Sequence, residues 1–210
     1  MTRRDIEQLT SILKGHNFKP TNFIEVGSRD GHDTDYVCHY WRLDPSDCYI
    51  IEAHPDCYNY IVNTYPQYQT YNIAASDKTE PVRFNAGVVG EEENIGISSV
   101  LNRTWSPFIS REVEVDGWRM DEVMSTIKVD KFDFMKIDVE GFGLQVLQGF
   151  GDKLRNTTYI QIELENKQIW EGQAFYDDVV NYLTNLGFSV IDQVCPDGIQ
   201  SDVLFENKNN

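Results

Sequence analysis

The hydrophobic residues of this chain follow two spacings that alternate along most of its length. Segments with apolar residues every three or four positions predict amphipathic helices, and short runs of consecutive apolar residues predict buried strands. The predicted helices cover residues 2–14, from after 31 to about 43, from about 55 onwards, 142–154 and 175–186. The predicted strands cover residues 23–26, 48–52, 69–74, 133–138, 159–165, 188–194 and 202–206.

This alternation is typical of an α/β fold in three layers, with helices on both faces of a mostly parallel sheet. The length favours a single domain over residues 1–210, in which 1–20 form an N-terminal helical segment. Residues 81–118 interrupt the pattern, because strand-like pieces at 81–85 and 112–118 flank a loop rich in Gly and Ser. A loop of this length inside a compact domain usually has a function. We therefore expect an inserted hairpin with an acceptor loop.

Three residues of that loop, Ser98, Ser99 and Trp105, are candidates for covering a substrate site. Plain packing of the loop is the alternative. Trp170 is a further candidate, because a tryptophan ring can form a platform for a sugar or an aromatic acceptor. Tryptophans also bury large areas in ordinary cores, so both interpretations of Trp170 remain open at this stage.

The segment from Asp133 to Gly141 carries the strongest functional signal. It begins as an apolar strand and then places Lys136, Asp138 and Glu140 at alternate positions before the glycine. Alternate residues of a strand share a face, so Lys136 and Asp138 are expected to point the same way. Ligands of open α/β sheets bind just beyond the carboxyl ends of the strands. The segment therefore predicts a reactive site, although a simple solvated strand end is the alternative.

The first strand leads into a turn in which Gly27 and Gly31 are four positions apart. Glycines in such a turn allow the backbone to approach a ligand and the next helix to start close to the sheet. Glu52 stands at the end of the second strand, where it can accept hydrogen bonds from ribose hydroxyls. Together these residues predict an adenosine-bearing cofactor, and a purely structural turn is the alternative.

The chemistry of the turn favours one cofactor class over another. A dinucleotide site needs Gly-x-Gly-x-x-Gly, so that backbone amides reach the pyrophosphate, but Arg29 occupies the middle glycine position and Asp30 follows it. S-adenosylmethionine has a cationic sulfonium and an ammonium group and no phosphate, so an acidic strand end suits it. The sequence therefore favours S-adenosylmethionine over NAD.

Several segments together resemble the successive motifs of the FkbM-type methyltransferases, within the class I S-adenosylmethionine-dependent superfamily. The matching segments are residues 25–31, 51–55, 72–77, 97–99, 132–141 and 147–149. The resemblance implies O-methylation of a small-molecule or glycan hydroxyl. It also implies a Rossmann-like, seven-stranded sheet with an antiparallel last strand. Two departures are Glu25, where the family more often has Asp, and Ala53-His54-Pro55, where it has Pro-Asn-Pro.

With this resemblance, position along the chain assigns the expected roles. The methionine part of the cofactor is expected near Glu25 and the glycine turn, the ribose at Glu52, and the adenine after the third strand. The residues expected to bind the cofactor are Glu25, Gly27, Ser28, Gly31, Glu52, Ala53, Ala75, Ser76, Asp77 and Asp138.

An alcohol must lose its proton during methyl transfer, and a nearby carboxylate can accept it. Asp138 is the first candidate for that base and Glu163 the second, while Lys136 is expected to keep Asp138 ionised or to stabilise a developing alkoxide. A divalent metal bound by Asp138, Glu140 and Glu163 is a competing hypothesis that is not favoured. Glu140 could instead stabilise the N-terminus of the next helix.

Composition narrows the partners and leaves two other function classes open. A formal net charge of −16 and the lack of a run of Lys or Arg predict no nucleic-acid partner. No apolar stretch approaches the ~20 residues of a membrane span, and four cysteines without a C-x-x-C pair are typical of reduced thiols in a cytoplasmic protein. An NAD-linked oxidoreductase and a non-catalytic binding module remain as alternatives, and the oligomeric state stays open.

Overall fold

The computed structural model describes residues 6–88, 96–104, 110–195 and 198–209. Its α-helices are α1 (Ile6–Gly15), α2 (His32–Trp41), α3 (Pro55–Thr64), α4 (Met120–Thr126), α5 (Gly143–Gly149) and α6 (Tyr176–Asn185). Its strands are β1 (Phe23–Val26), β2 (Cys48–Ile51), β3 (Gln69–Tyr71), β4 (Ala74–Ser76), β5 (Pro81–Gly87), β6 (Ser110–Arg119), β7 (Phe134–Ile137), β8 (Tyr159–Glu165), β9 (Phe188–Val194) and β10 (Gln200–Asn207). Short 3-10 helices lie at Pro45–Asp47 and Gly151–Asn156.

The central sheet has seven strands in the order β3-β2-β1-β7-β8-β10-β9. Its neighbours pair in parallel from β3 to β8, whereas β10 runs antiparallel to both β8 and β9. Every residue of β1 and β8 is buried, as expected for parallel strands covered by helices on both faces. The predicted three-layer, mostly parallel sheet with an antiparallel last strand is therefore confirmed.

Successive side chains of a strand point to opposite faces of the sheet. Ile24 of β1 and Met135 of β7 belong to the larger hydrophobic cluster. Phe23 and Phe134, their immediate neighbours, belong to the cluster beneath α1 and α2. Residues two positions further along a strand return to the same face, so Glu25 and Lys136 must lie on the α1 and α2 side. This alternation places the polar strand ends on one face.

A second, three-stranded sheet has the order β4-β6-β5 and lies outside the central one. The expected inserted strand pair is present, with β5 antiparallel to β6. The single strand predicted over 69–74 is divided into β3, which pairs with β2, and β4, which pairs with β6. Asn72 lies at the break and donates hydrogen bonds to the carbonyl oxygens of Glu52 and Ala53. These hydrogen bonds take the place of backbone pairing with β2 at this position, and the chain turns here towards the second sheet.

The helices are short; one ends earlier than predicted and one was not predicted. The helix predicted over 142–154 ends at Gly149 and is followed by the 3-10 turn, which begins at Gly151 with φ +53°. Helix α4 was not predicted, although its buried Met120, Val123 and Met124 have helical spacing. Within the described ranges, no helix is long and apolar enough to cross a lipid bilayer.

Candidate active site

A cavity of about 330 Å³ opens beyond the carboxyl ends of β1, β2 and β7. This is the place where open α/β sheets bind ligands, and the volume lies in the ordinary range for small-molecule sites. Its polar wall carries the side chains of Ser28, Asp33, Glu52, Ser98, Lys136, Asp138, Glu140, Gln161 and Asp202. Its apolar wall includes Val26, Ile51, Ala74, Ala75, Phe84 and Phe142.

The turn after β1 brings the backbone close to the end of β7. Gly27, Arg29 and Gly31 have φ values of +81°, +64° and +78°, so the chain enters the left-handed region three times within five residues. A Cβ at position 27 would overlap the carbonyl oxygen of Asp138, which is why only glycine fits there. One at position 31 would lie 2.9 Å from the ring of Tyr65. Both glycines therefore make space for close packing around the cavity.

The buried carboxylate of Glu25 holds this turn in place through hydrogen bonds. Its Oε2 accepts hydrogen bonds from the hydroxyls of Ser28 (2.9 Å) and Thr34 (2.6 Å) and from the backbone N–H of Thr34 (3.2 Å). Ser28 Oγ in turn accepts a hydrogen bond from the backbone N–H of Gly31 at 3.0 Å. Glu25 thus connects the turn to the start of α2, and it does not itself line the cavity.

Burial raises the pKa of Glu25 from 4.5 to about 7, although the nearby Lys136 opposes the shift and Asp33 adds to it. Between these two values the folded state holds more protons than the unfolded chain, so stability falls as the pH rises. We expect the free energy of unfolding of the wild type to fall by about 2 kcal/mol, relative to Glu25→Gln, between about pH 5 and about pH 8. Urea unfolding of both proteins at each pH measures the difference. Parallel pH profiles would contradict the shifted pKa.

Glu52, at the end of β2, is held by two backbone amides. Its Oε2 accepts from the N–H of Arg29 and its Oε1 from the N–H of His54, each at 2.7 Å. Burial raises its pKa, against these hydrogen bonds. The ring of His54 contacts the carbonyl oxygen of Gly87 at 2.8 Å, which joins the start of α3 to the inserted hairpin. Glu52 therefore aligns the glycine turn with the second strand.

Lys136 is a nearly buried cation among three carboxylates. Its Nζ lies 3.1 Å from Asp33, 3.4 Å from Glu25 and 4.0 Å from Asp138. Burial alone would lower the pKa of Lys136, but the carboxylates, Glu25 foremost, outweigh it and raise the pKa. Lys136 therefore stays protonated in the neutral range and stabilises negative charge on the cavity wall.

A cluster of acidic residues, here called the acidic group, lies beside Lys136, where β7 and β8 end. The carboxylate oxygens of Asp138, Glu140 and Glu163 lie within 4.8 Å of one another. Glu163 Oε2 accepts a hydrogen bond from Gln200 at 2.7 Å. Glu165 is also buried, and burial, followed by the charge of Glu140, raises its pKa to about 8. The end of the sheet is thus acidic on the side that faces the cavity.

The structure brings together most of the residues that the sequence singled out. Those that line the cavity are Gly27, Ser28, Glu52, Ala53, Ala75, Ser98, Lys136 and Asp138. Six other candidates do not line it, and these are Glu25, Gly31, Ser76, Asp77, Ser99 and Glu163. Ser99 donates a hydrogen bond to the carbonyl oxygen of Glu140 at 2.7 Å, so it supports the turn after β7. Trp105 lies outside the described residues.

Trp170 lies in the interior of the protein and has no exposed surface. Its ring packs beneath Gly141, where a Cβ would come within 2.5 Å of it, and Arg103 lies 5.7 Å from the ring centroid. A side chain in this position offers no platform to an acceptor, so the buried position agrees with the packing interpretation and not with the candidate role in substrate binding. Its structural role is to support the glycine that ends the turn after β7.

The sequence interpretation missed several polar residues of the cavity wall, among them Asp33, Gln161 and Asp202. Asp33 belongs to the first turn of α2, while Gln161 of β8 donates to Asp202 of β10 at 2.9 Å. A signal was present in β8, because Gln161, Glu163 and Glu165 alternate with apolar residues and hence share a face. The partner Asp202 depends on the antiparallel pairing of β8 with β10.

Comparisons with known proteins show which family model and which enzyme this chain is similar to. The family model for the methyltransferase FkbM domain matches residues 25–190. The 2-O-methyltransferase NoeI of Sinorhizobium fredii is 27% identical over 95 residues, which cover 45% of this chain and 38% of that protein.

Solved structures share the fold at low sequence identity. Methyltransferase FkbM from Methylobacillus flagellatus KT has a TM-score of 0.59 and 13% identity, covering 90% of this chain and 44% of that one. TrmK of M. capricolum, in complex with S-adenosylhomocysteine, has a TM-score of 0.57 and 9% identity, covering 99% and 70%. The chain spans less than half the length of NoeI and of the M. flagellatus protein.

Proposed function

Because the chain belongs to the FkbM methyltransferase family, we propose that it methylates a hydroxyl group of a small molecule or a glycan. As a member of that family, this domain is an S-adenosylmethionine-dependent methyltransferase. The observation that carries the hydroxyl assignment is the placement of Asp138, a carboxylate on the cavity wall, 4.0 Å from the Lys136 ammonium. The description of the relative NoeI as a 2-O-methyltransferase supports the same acceptor chemistry.

The residues of the cavity fit S-adenosylmethionine. Its cationic sulfonium and ammonium groups suit a wall that carries Asp33, Glu52 and Asp138. We propose that Gly27 and Ser28 bind the methionine part, and that Glu52 accepts from ribose hydroxyls with the lone pairs its two amide partners leave free. Ala53 and Ala75 lie where the adenosine would bind. The cofactor supplies an electrophilic methyl group, and S-adenosylhomocysteine remains when the sulfur–carbon bond breaks.

Asp138 is our candidate for the group that takes the proton of the acceptor hydroxyl. It stands at the point where the ends of β1 and β7 meet, because its backbone N–H donates to the carbonyl of Val26 at 2.9 Å. The base is thereby held on a rigid element beside the cofactor cavity, and the rate of an in-line displacement depends mostly on such positioning. The ammonium of Lys136 lies 4.0 Å from the carboxylate of Asp138, and Glu163 is the second candidate for the base.

The cofactor assignment separates this proposal from an NAD-linked oxidoreductase. A ligand that binds only the folded state raises the free energy of unfolding by RT ln(1 + [L]/Kd), about 2.7 kcal/mol at 100 times Kd. We expect S-adenosylhomocysteine to raise the melting temperature in line with this gain in the free energy of unfolding. NADH should leave the melting temperature unchanged. Differential scanning fluorimetry with both ligands measures the two shifts. Stabilisation by NADH and not by S-adenosylhomocysteine would reverse the assignment.

A further inference from the structure

The acidic group at the ends of β7 and β8 extends beyond the candidate base. Asp138 and Glu140 line the cavity, and Glu163 brings its carboxylate to within 4.8 Å of both from the neighbouring strand. The pairing of β7 with β8 explains this convergence, since Ile137 lies opposite Ile162 and the next residues are Asp138 and Glu163. All three side chains therefore meet at one edge of the sheet.

A fourth carboxyl group, that of Glu165, adds an independent observation. Only 3% of Glu165 is exposed, and its Oε1 has no hydrogen-bond partner within the part of the chain that the structure describes. Glu165 lies two positions beyond Glu163 on the same face of β8, and Glu140 is the charge that acts on it most strongly. Backbone hydrogen bonds of Gly141 and of Glu165 itself act on this carboxyl group, but a buried oxygen without a partner is costly unless something else satisfies it.

The separations are those that one cation can bridge. Ligand oxygens lie 2.0–2.1 Å from Mg²⁺ and 2.3–2.6 Å from Ca²⁺, so two ligands of one ion are at most about 4 to 5 Å apart. The limit of 4.8 Å among Asp138, Glu140 and Glu163 lies within the span of Ca²⁺, about 5.2 Å, and slightly above that of Mg²⁺, about 4.2 Å, so Mg²⁺ would draw the carboxylates closer together. The nearby ammonium of Lys136 lies closer to Asp33 and to Glu25 than to Asp138. A further positive charge at the acidic group would therefore complement it.

We propose that Asp138, Glu140 and Glu163 bind one hard divalent cation such as Mg²⁺, with Glu165 behind them. Carboxylate oxygens are the ligands that Mg²⁺, Mn²⁺ and Ca²⁺ prefer. Because Asp138 and Glu140 face the cavity, the ion would hold the acceptor hydroxyl there and ease loss of its proton to the second oxygen of Asp138. This role for the ion rests on the proposed O-methylation, whereas binding of the ion does not.

Electron paramagnetic resonance with Mn²⁺ alone as the probe tests the site, because bound Mn²⁺ loses the signal of the free ion. We expect one saturable Mn²⁺ per chain, displaced by Mg²⁺, and at least a tenfold loss of affinity in Glu163→Gln and in Glu165→Gln. Both variants are close in shape to the native residues. Glu114→Gln, at an exposed position of β6, removes the same charge and is the matched control, with unchanged affinity.

Two outcomes would overturn the cation site. One is the lack of saturable Mn²⁺ binding to the wild type, and the other is equal affinity in Glu163→Gln, Glu165→Gln and the control. Calorimetry with S-adenosylhomocysteine in the presence of a chelator measures cofactor binding separately. Retained cofactor binding alongside either outcome would remove the cation and leave the proposed methyl transfer standing.

Discussion

The substitution Asp138→Asn is expected to lower turnover by about 10²- to 10⁴-fold, the usual contribution of a positioned general base. Asparagine keeps the shape of the side chain but cannot accept the hydroxyl proton at neutral pH. The backbone of Asp138, which contacts the Gly27 turn, is unchanged, so S-adenosylhomocysteine should still bind. The rate of S-adenosylhomocysteine formation and calorimetric binding of the same ligand measure the two effects.

The control for this substitution is Asp116→Asn, at an exposed position of β6. It makes the same chemical change away from the cavity and should leave turnover unchanged. Turnover like that of the wild type in Asp138→Asn would exclude this residue as the base, and Glu163→Gln would then be the next variant to measure. Loss of S-adenosylhomocysteine binding in Asp138→Asn would instead point to a role of its carboxylate in binding the cofactor or in holding the turn.

The second large effect is expected from Gly27→Ala. The added Cβ would overlap the carbonyl oxygen of Asp138, so the turn and the end of β7 must move apart. Overpacking of this kind typically costs 1–3 kcal/mol, and a left-handed alanine adds about 1–2 kcal/mol. We expect a loss of about 3 kcal/mol in the free energy of unfolding, together with loss of S-adenosylhomocysteine binding. Urea unfolding and calorimetry measure these quantities.

Gly172→Ala separates the steric effect from the cost of the backbone conformation. Gly172 has φ +72°, close to the +81° of Gly27, but a Cβ there meets nothing within 4 Å. This control should lose only the conformational part, about 1–2 kcal/mol, and should bind S-adenosylhomocysteine normally. Equal destabilisation in the two variants would show that the approach of Gly27 to Asp138 contributes nothing.

The parts of the site that could be predicted from sequence have local signals. The left-handed turn appears as glycines at 27 and 31, the acid after β2 appears as Glu52, and the charged end of β7 appears as Lys136 and Asp138. Each signal lies within a few residues of the strand that presents it. The order of the strands was available only through the family resemblance, which the match over residues 25–190 confirms.

The parts that could not be predicted depend on contacts between distant segments. Asp202 reaches the cavity wall because β10 is inserted beside β8 in antiparallel register. Burial of Trp170 follows from its packing under Gly141, which no spacing in the sequence reveals. The division of the strand after residue 71 depends on the hydrogen bonds that Asn72 donates to the end of the second strand. In each case tertiary structure overrides a local pattern.

The most direct test of the proposed reaction is to supply the protein with S-adenosylmethionine carrying a ¹³C-labelled methyl group and a broad pool of hydroxylated metabolites and glycans. Mass spectrometry identifies the labelled product, and NMR identifies the atom that carries the methyl group. We expect the label on a hydroxyl oxygen, as a methyl ether, in an amount equal to the S-adenosylhomocysteine formed. A label on nitrogen, sulfur, carbon or a carboxylate, or bound cofactor with no transfer to any compound of the pool, would contradict O-methylation.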